Sequence, residues 1–209
     1  AAGPAERGGE IPPGRHATEL QTAIGFLQKA RAYAEPAQAE ILGRLSEYFA
    51  SGDPEAFRRY NIAWVRDDAS VDTVNGFIET YKDPRGQKGA FEGLVYFVDR
   101  RMSRIQKDLA DLAQYFEDRA PWDGRYKRQG FNIPIANAVN LLVAVGDSGP
   151  MPPVGINLPN EESIRERHGN KSVSLVNVID SGERAAHSRK VAEFFLPEDR
   201  RLQETFGGD

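Results

Sequence analysis

The chain has 209 residues, room for one large domain or two small ones and for a substantial core. Hydrophobic content of 40% beside 28% charged residues fits a globular protein, and a formal net charge of −4 argues against a nucleic-acid or anionic-membrane partner. The absence of cysteine excludes disulfides, thiolate nucleophiles and Cys-based zinc sites; it favours a reducing compartment, and a cytoplasmic location is expected.

The opening AAGPAERGGE has neither an initiating Met nor the basic-then-apolar pattern of a signal peptide, so residues 1–15 read as a flexible linker or processed end. Thr18-x-x-Gln21 has capping-box spacing, and Leu20, Ile24, Leu27 and Ala34 mark one face of the helix that follows. Pro36 stops that helix and starts a second, with Ile41, Leu42, Leu45, Tyr48 and Phe49 as its buried stripe and Gly52 as its end. Asp53-Pro54 supplies an N-cap and a first-turn proline for a third helix carrying Phe57, Tyr60 and Trp64, which read as core aromatics.

Asn75–Gly93, NGFIETYKDPRGQKGAFEG, opens as an apolar-polar strand and is broken by Asp83-Pro84-Arg85-Gly86. Glu79 and Tyr81, two residues apart on such a strand, are expected to share a face, and the turn is able to bring Lys88 or Glu92 back toward it. Two readings stay open for this grouping: capture of a peptide's amine and backbone, or an ordinary hairpin with a solvated outer face. Leu94, Val98, Ile105, Leu109, Leu112 and Phe116 then space out as the buried face of a long helix over 94–116. Phe131 to Val145, rich in β-branched residues, reads as strand or irregular buried chain, and its apolar run Leu141–Val145 is too short to span a bilayer. Asp147–Pro153 is loop; Val154–Leu158 is extended ahead of Pro159; Asn160 is expected to cap a short helix over 161–167 closed by Gly169. Ser172–Ile179 fits strand or buried helix, and helices are expected around 184–195 and 197–206. The terminal Gly207-Gly208-Asp209 stops on a turn signal, and both ends suggest a piece of something longer.

Two fragments imitate a serine protease, Gly146-Asp147-Ser148-Gly149-Pro150 and Ala185-Ala186-His187, but their order and the helical content oppose that reading. Ser148 reads as a turn residue. The three histidines, His16, His168 and His187, include no i,i+4 pair, so no zinc site is expected within the chain, and no phosphate-binding glycine motif is present. Asn170-Lys171-Ser172 matches a glycosylation sequon, read as chance without a secretory signal. The polar groups beside extended backbone are Glu79, Tyr81, Asn157 and Asn160. A carboxylate plus amide oxygens suits a protonated amine, and exposed strand backbone suits an extended peptide; an Asx-turn at Asn157 and a helix cap at Asn160 are the plain alternatives.

Gly76-Phe77-Ile78-Glu79-Thr80-Tyr81, Asp83-Pro84, Gly86, Gly89, Phe91-Glu92-Gly93, Gly155-Ile156-Asn157-Leu158-Pro159-Asn160 and Asn170-Lys171-Ser172-Val173-Ser174-Leu175, taken with their spacing, resemble the dipeptidyl peptidase III family of zinc metallopeptidases. The resemblance runs from about Leu20 to Phe206. It implies an α+β chain, mostly helical, with a small β-core that is part of a barrel-like sheet and carries the substrate-binding strand, within a two-lobed enzyme that removes dipeptides from the N-terminus of oligopeptides. By matching position it implies that Glu79 binds the substrate amine with help from Asn157 and Asn160. Tyr81 supports the scissile carbonyl and oxyanion, and Glu92 is a second acid lining the amine-side subsites. Ala90 stands where animal members carry an acid, which bears on the charge of that subsite. The family's zinc-binding H-E-x-x-G-H motif and its general base are expected beyond Asp209, so the zinc ligands lie outside this chain and the remainder of the catalytic polypeptide is its partner. Family architecture divides the chain into lower-lobe helices and β-core strand at 16–100, a helical upper-lobe part at 101–140, a lower-lobe β-core part at 141–186 and upper-lobe helices at 187–209. The rival of a different class is a non-catalytic peptide-binding module without the zinc half.

Overall fold

A computed structural model describes residues 13–130, 135–149, 152–180 and 189–190, in two compact units. Of the described residues, the first takes in those up to Ser70 together with Asn157–Ser172; the second takes in those from Val71 through Ile156, Ile135 excepted, and those from Val173 onward.

The first unit is helical: α1 (Ala17–Arg31), α2 (Pro36–Ser51), α3 (Pro54–Trp64) and α6 (Glu162–His168). Prolines stand at the first turns of α2 and α3, where a missing N–H costs nothing. Gly52 ends α2 with φ of 69°, and the Asp53 carboxylate accepts the Glu55 amide at 3.0 Å to start α3. Leu20 and Ile24, Ile41, Leu42, Leu45 and Phe49, and Ala56, Tyr60 and Trp64 are buried. They fall at helical spacing and form a common core. Lys171 is also buried, its ammonium 4.6 Å from the Trp64 ring centroid.

Two capping expectations change. Thr18 lies inside α1, whose N-cap is His16 with no side-chain capping bond. The N-cap of α6 is Glu161 rather than Asn160, and its carboxylate pairs with Arg58 of α3, which also donates to Ser163 Oγ at 2.8 Å. A helix-to-helix bond thus takes the place of a local cap.

The second unit is built on β1 (Val71–Glu79), β2 (Ala90–Val98) and β3 (Ile135–Gly146), joined by α4 (Arg100–Asp111) and α5 (Ala113–Arg119). With β4 (Gly155–Leu158) and β5 (Lys171–Leu175) they form a five-stranded sheet of order β1-β2-β3-β5-β4. The sheet is open. The expected barrel-like closure is absent among the described residues, because closure needs the edge strands β1 and β4 to pair. The segment Ser172–Ile179, ambiguous in sequence, divides into the end of β5 and the short helix α7 (Val176–Ile179). The helices expected over 184–195 and 197–206 lie outside the described residues, apart from Arg189 and Lys190, which are helical.

The expected long helix over 94–116 is parts of three elements, β2, α4 and α5. Leu94 and Val98 belong to β2, and α4 begins after Asp99, whose carboxylate accepts the amides of Arg101 and Met102 at 3.0 and 2.9 Å. The apolar stripe is not buried: Ile105 and Leu109 of α4, Leu112 at the junction and Phe116 of α5 are each about half exposed. Among the described residues no helix is long and apolar enough to cross a membrane.

Leu45 is fully buried between helices of the first unit, so Leu45→Ala is expected to destabilise the 209-residue chain by about 2–5 kcal/mol, read from urea denaturation followed by far-UV circular dichroism.

Candidate functional site

Strand alternation places Asp72, Val74 and Gly76 of β1 on one face of the sheet, opposite Tyr96, Leu94 and Glu92 of β2 in antiparallel register. All six are buried. Two carboxylates on a covered face demand partners. Asp72 receives the Tyr96 hydroxyl at 3.1 Å. Glu92, 4% exposed, receives the hydroxyl of Ser148 at 2.8 Å on Oε2, while its buried Oε1 has no hydrogen-bond partner among the described residues. Glu92 is a strand residue facing inward, opposite Gly76 where no side chain competes for space.

Ser148 reaches Glu92 because β3 ends in a tight turn. Gly146 closes the strand with φ of +67°, and a Cβ there would sit 2.2 Å from the Phe91 carbonyl oxygen, so the position admits only glycine. The Asp147 amide then donates to that same Phe91 carbonyl at 2.8 Å, and Gly149 N–H to Gly146 O at 3.1 Å. The turn therefore presents two side chains in sequence: Ser148 inward to Glu92, Asp147 to the ammonium of Lys82 at 2.6 Å. The protease-like string Gly146-Asp147-Ser148-Gly149 is thus a structural turn whose serine gives its hydrogen to a buried carboxylate, while His187 lies outside the described residues.

Glu79 and Tyr81 do not share a strand face. The register shifts between Phe77 and Glu79, Glu79 is the last residue of β1, and Tyr81 sits in the following turn, 73% exposed. Strand alternation fails here because the strand stops two residues early. The loop from Thr80 to Gly89 is closed on itself: Asp83 N–H donates to Thr80 O at 3.0 Å, Gly86 N–H to Asp83 O at 2.9 Å, and the Asp83 carboxylate accepts the amides of Gln87 and Lys88 at 2.8 and 3.0 Å. Those amides, Gln87 foremost, hold the Asp83 carboxyl below its ordinary pKa. Gly89 returns the chain to the hairpin, its α-carbon packed so closely that a Cβ would lie 2.6 Å from Phe77 O. Lys82 is kept protonated, its pKa raised first by the hydrogen bond to Asp147 and further by proximity to Asp147, Tyr81 and Glu92.

Asn157 and Asn160 belong to the other unit. Asn157 is exposed within β4, and Asn160 is exposed after the cis Leu158–Pro159 peptide. β4 is last in the sheet order, so one side of its backbone faces no strand of that sheet. The sequence missed Lys82, Asp147 and the bond of Ser148. Its available signal was the Gly146-x-x-Gly149 turn, whose direction only the sheet register supplies. Among the described residues no group of three or more His, Cys, Asp or Glu side chains is arranged to hold a metal ion, so those residues do not fit zinc.

The model of peptidase family M49 matches residues 6–208. The chain is 33% identical over 195 residues to dipeptidyl peptidase 3 of Rattus norvegicus, covering 92% of this chain and 26% of that protein. It is 34% identical over 172 residues to dipeptidyl peptidase 3 of Homo sapiens, covering 81% and 23%. Among solved structures, DPP III from Caldithrix abyssi matches with a TM-score of 0.70 and 26% identity over 89% of this chain and 34% of that one. The dipeptidyl-peptidase III of Corallococcus sp. strain EGB shares the fold, with a TM-score of 0.63. The chain spans about a quarter of the length of the curated relatives it matches.

Removing the Ser148 hydroxyl leaves both oxygens of the buried Glu92 without a described partner, so Ser148→Ala is expected to cost about 1–3 kcal/mol in urea denaturation and much less in a Glu92→Leu background. The depressed Asp83 carboxyl sets the sign of a local pH effect. Its contribution is complete above the ordinary Asp pKa and is lost as pH falls through the lowered folded value. Protection of the Gln87 and Lys88 amides, taken relative to their intrinsic exchange rates, is expected to fall over that acid range, and Asp83→Asn to abolish the dependence.

Proposed function

The chain belongs to peptidase family M49, and on that premise we propose that it supplies the peptide-recognition part of a zinc-dependent dipeptidyl peptidase that releases dipeptides from the N-terminus of oligopeptides. The observation that carries the reading is where the matched motifs fall. GFIETY ends at the mouth of the β1–β2 hairpin, GAFEG runs into β2 with its acid buried, and GINL forms the edge strand β4. An edge strand offers unpaired N–H and C=O groups at the spacing an extended peptide needs.

In this reading Glu79 takes the peptide's terminal ammonium through a charge-assisted bond, and Asn157 and Asn160 are substrate-binding amides that help hold the peptide. Tyr81, exposed in its turn, donates its phenol to the oxygen that gains charge as the scissile carbonyl is attacked. Glu92 contributes the second negative charge on the amine side, and Ala90 leaves its own subsite position without one. Zinc, supplied by ligands elsewhere in the catalytic polypeptide, would activate the attacking water and polarise the carbonyl. The remainder of that polypeptide is the chain's partner, and the two lobes divide it as the family's architecture does.

The test has two parts. The 209-residue chain with added zinc is expected to show no dipeptidyl-arylamide hydrolysis, and zinc-dependent turnover by it alone refutes the placement of the metal outside the chain. In the longer polypeptide that carries this segment with an H-E-x-x-G-H motif, Glu79→Ala is expected chiefly to raise KM for free-amine peptides. Tyr81→Phe is expected to lower kcat by about 10²–10³. Equal loss by Glu79→Ala on N-acetylated peptides sinks the amine role.

A further inference from the structure

Tyr81 is two residues beyond the last ladder pair of β1 and largely exposed, so neither the sheet nor a packed core fixes its ring. The loop's internal bonds from Asp83 fix the shape of Thr80–Gly89 but not the direction in which that loop leans from the sheet. A bond to an element outside the hairpin sets direction, and Lys82 makes one, 2.6 Å from Asp147.

The two ends of that ion pair differ in rigidity. The Asp147 side chain is 19% exposed and the Lys82 side chain 55%. Asp147 is held on both sides along the chain: Gly146 before it is pressed against the Phe91 carbonyl, Ser148 after it is bonded to buried Glu92, and its own amide is tied to Phe91 O. It is a fixed anion at the end of a strand, and the residue it grips is the immediate neighbour of Tyr81.

We propose that Asp147 is a positioning residue for Tyr81: by anchoring the Lys82 ammonium to the turn after β3, it orients the phenol through the single peptide link between Tyr81 and Lys82. The catalytic consequence rests on the reading of Tyr81 given above; the geometry does not. An exposed ion pair adds little to global stability, so substitutions at either end leave the fold intact and act on the loop.

Two measurements separate the proposal from the reading beneath it. In the first, the 209-residue chain carries 3-fluorotyrosine at its seven tyrosines, and the Tyr81 signal is assigned by its loss in Tyr81→Phe. Asp147→Asn and Lys82→Gln are each expected to shift that ¹⁹F signal alone and to the same position, and the exchanged pair Lys82→Asp with Asp147→Lys to return it toward the original. A Tyr81 signal unmoved by Asp147→Asn overturns the proposal. In the second, the longer polypeptide hydrolyses a dipeptidyl-arylamide. Asp147→Asn is expected to lower kcat about ten- to a hundredfold at nearly constant KM, the signature of a misplaced group, with partial recovery in the exchanged pair. A moved ¹⁹F signal with unchanged kcat upholds the positioning and overturns the role of Tyr81 in the reaction. A loss confined to KM overturns its assignment to the reacting carbonyl.

Discussion

A carboxylate placed on the inward face of a sheet has to be held by a donor or be expelled, and Glu92 is held by Ser148. That requirement organises the second unit from the strands outward. Antiparallel register sets Glu92 opposite Gly76 on one side and beside the end of β3 on the other. The end of β3 must then turn within reach of it, which needs a glycine at Gly146 in the left-handed region and in contact with the Phe91 carbonyl. The same turn exposes Asp147, which takes hold of Lys82 and so of the loop that carries Tyr81. One buried bond thereby fixes a turn, and the turn steers a loop.

The division of labour suits the peptide-recognition role proposed for this member of family M49. Strands supply fixed directions: Glu79 ends one edge strand and β4 is the other. Loops supply exposed groups, Tyr81 among them, and a rigid sheet lends those loops its precision. The first unit works by different physics, with three helices closing a core of aliphatic and aromatic side chains around α2 and Lys171 buried under the Trp64 ring.

Much of this was legible in the residues. Pro36, Gly52 and Asp53-Pro54 mark helix limits because their backbone preferences are local, and α2 and α3 begin and end where those residues stand. The blocks GFIETY, FEG and GINLPN carry the resemblance to the family, and each combines strand or turn backbone with a polar side chain. Other expectations yielded to tertiary structure. The 94–116 pattern mixes a strand's alternation at Leu94 and Val98 with a true helical stripe from Ile105 to Phe116, and periodicity across the join imitates one long helix. That stripe shows which face of α4 is apolar but not that anything covers it. Glu161 rather than Asn160 stands at the start of α6 because Arg58, more than a hundred residues earlier, draws its carboxylate into an ion pair.

The sequence alone determined the limits of α2 and α3, the turn at Asp83–Gly86, the family and the identity of the polar residues proposed to meet a peptide. Tertiary structure decided that Glu92 is buried, that Ser148 serves it, that Glu79 and Tyr81 part company at the end of β1, and that Lys82 and Asp147 meet. The reason is range. Caps, turns and periodicity are set by neighbours within a few residues, whereas strand register joins residues far apart in the chain, and a single shift of that register turns a shared face into two.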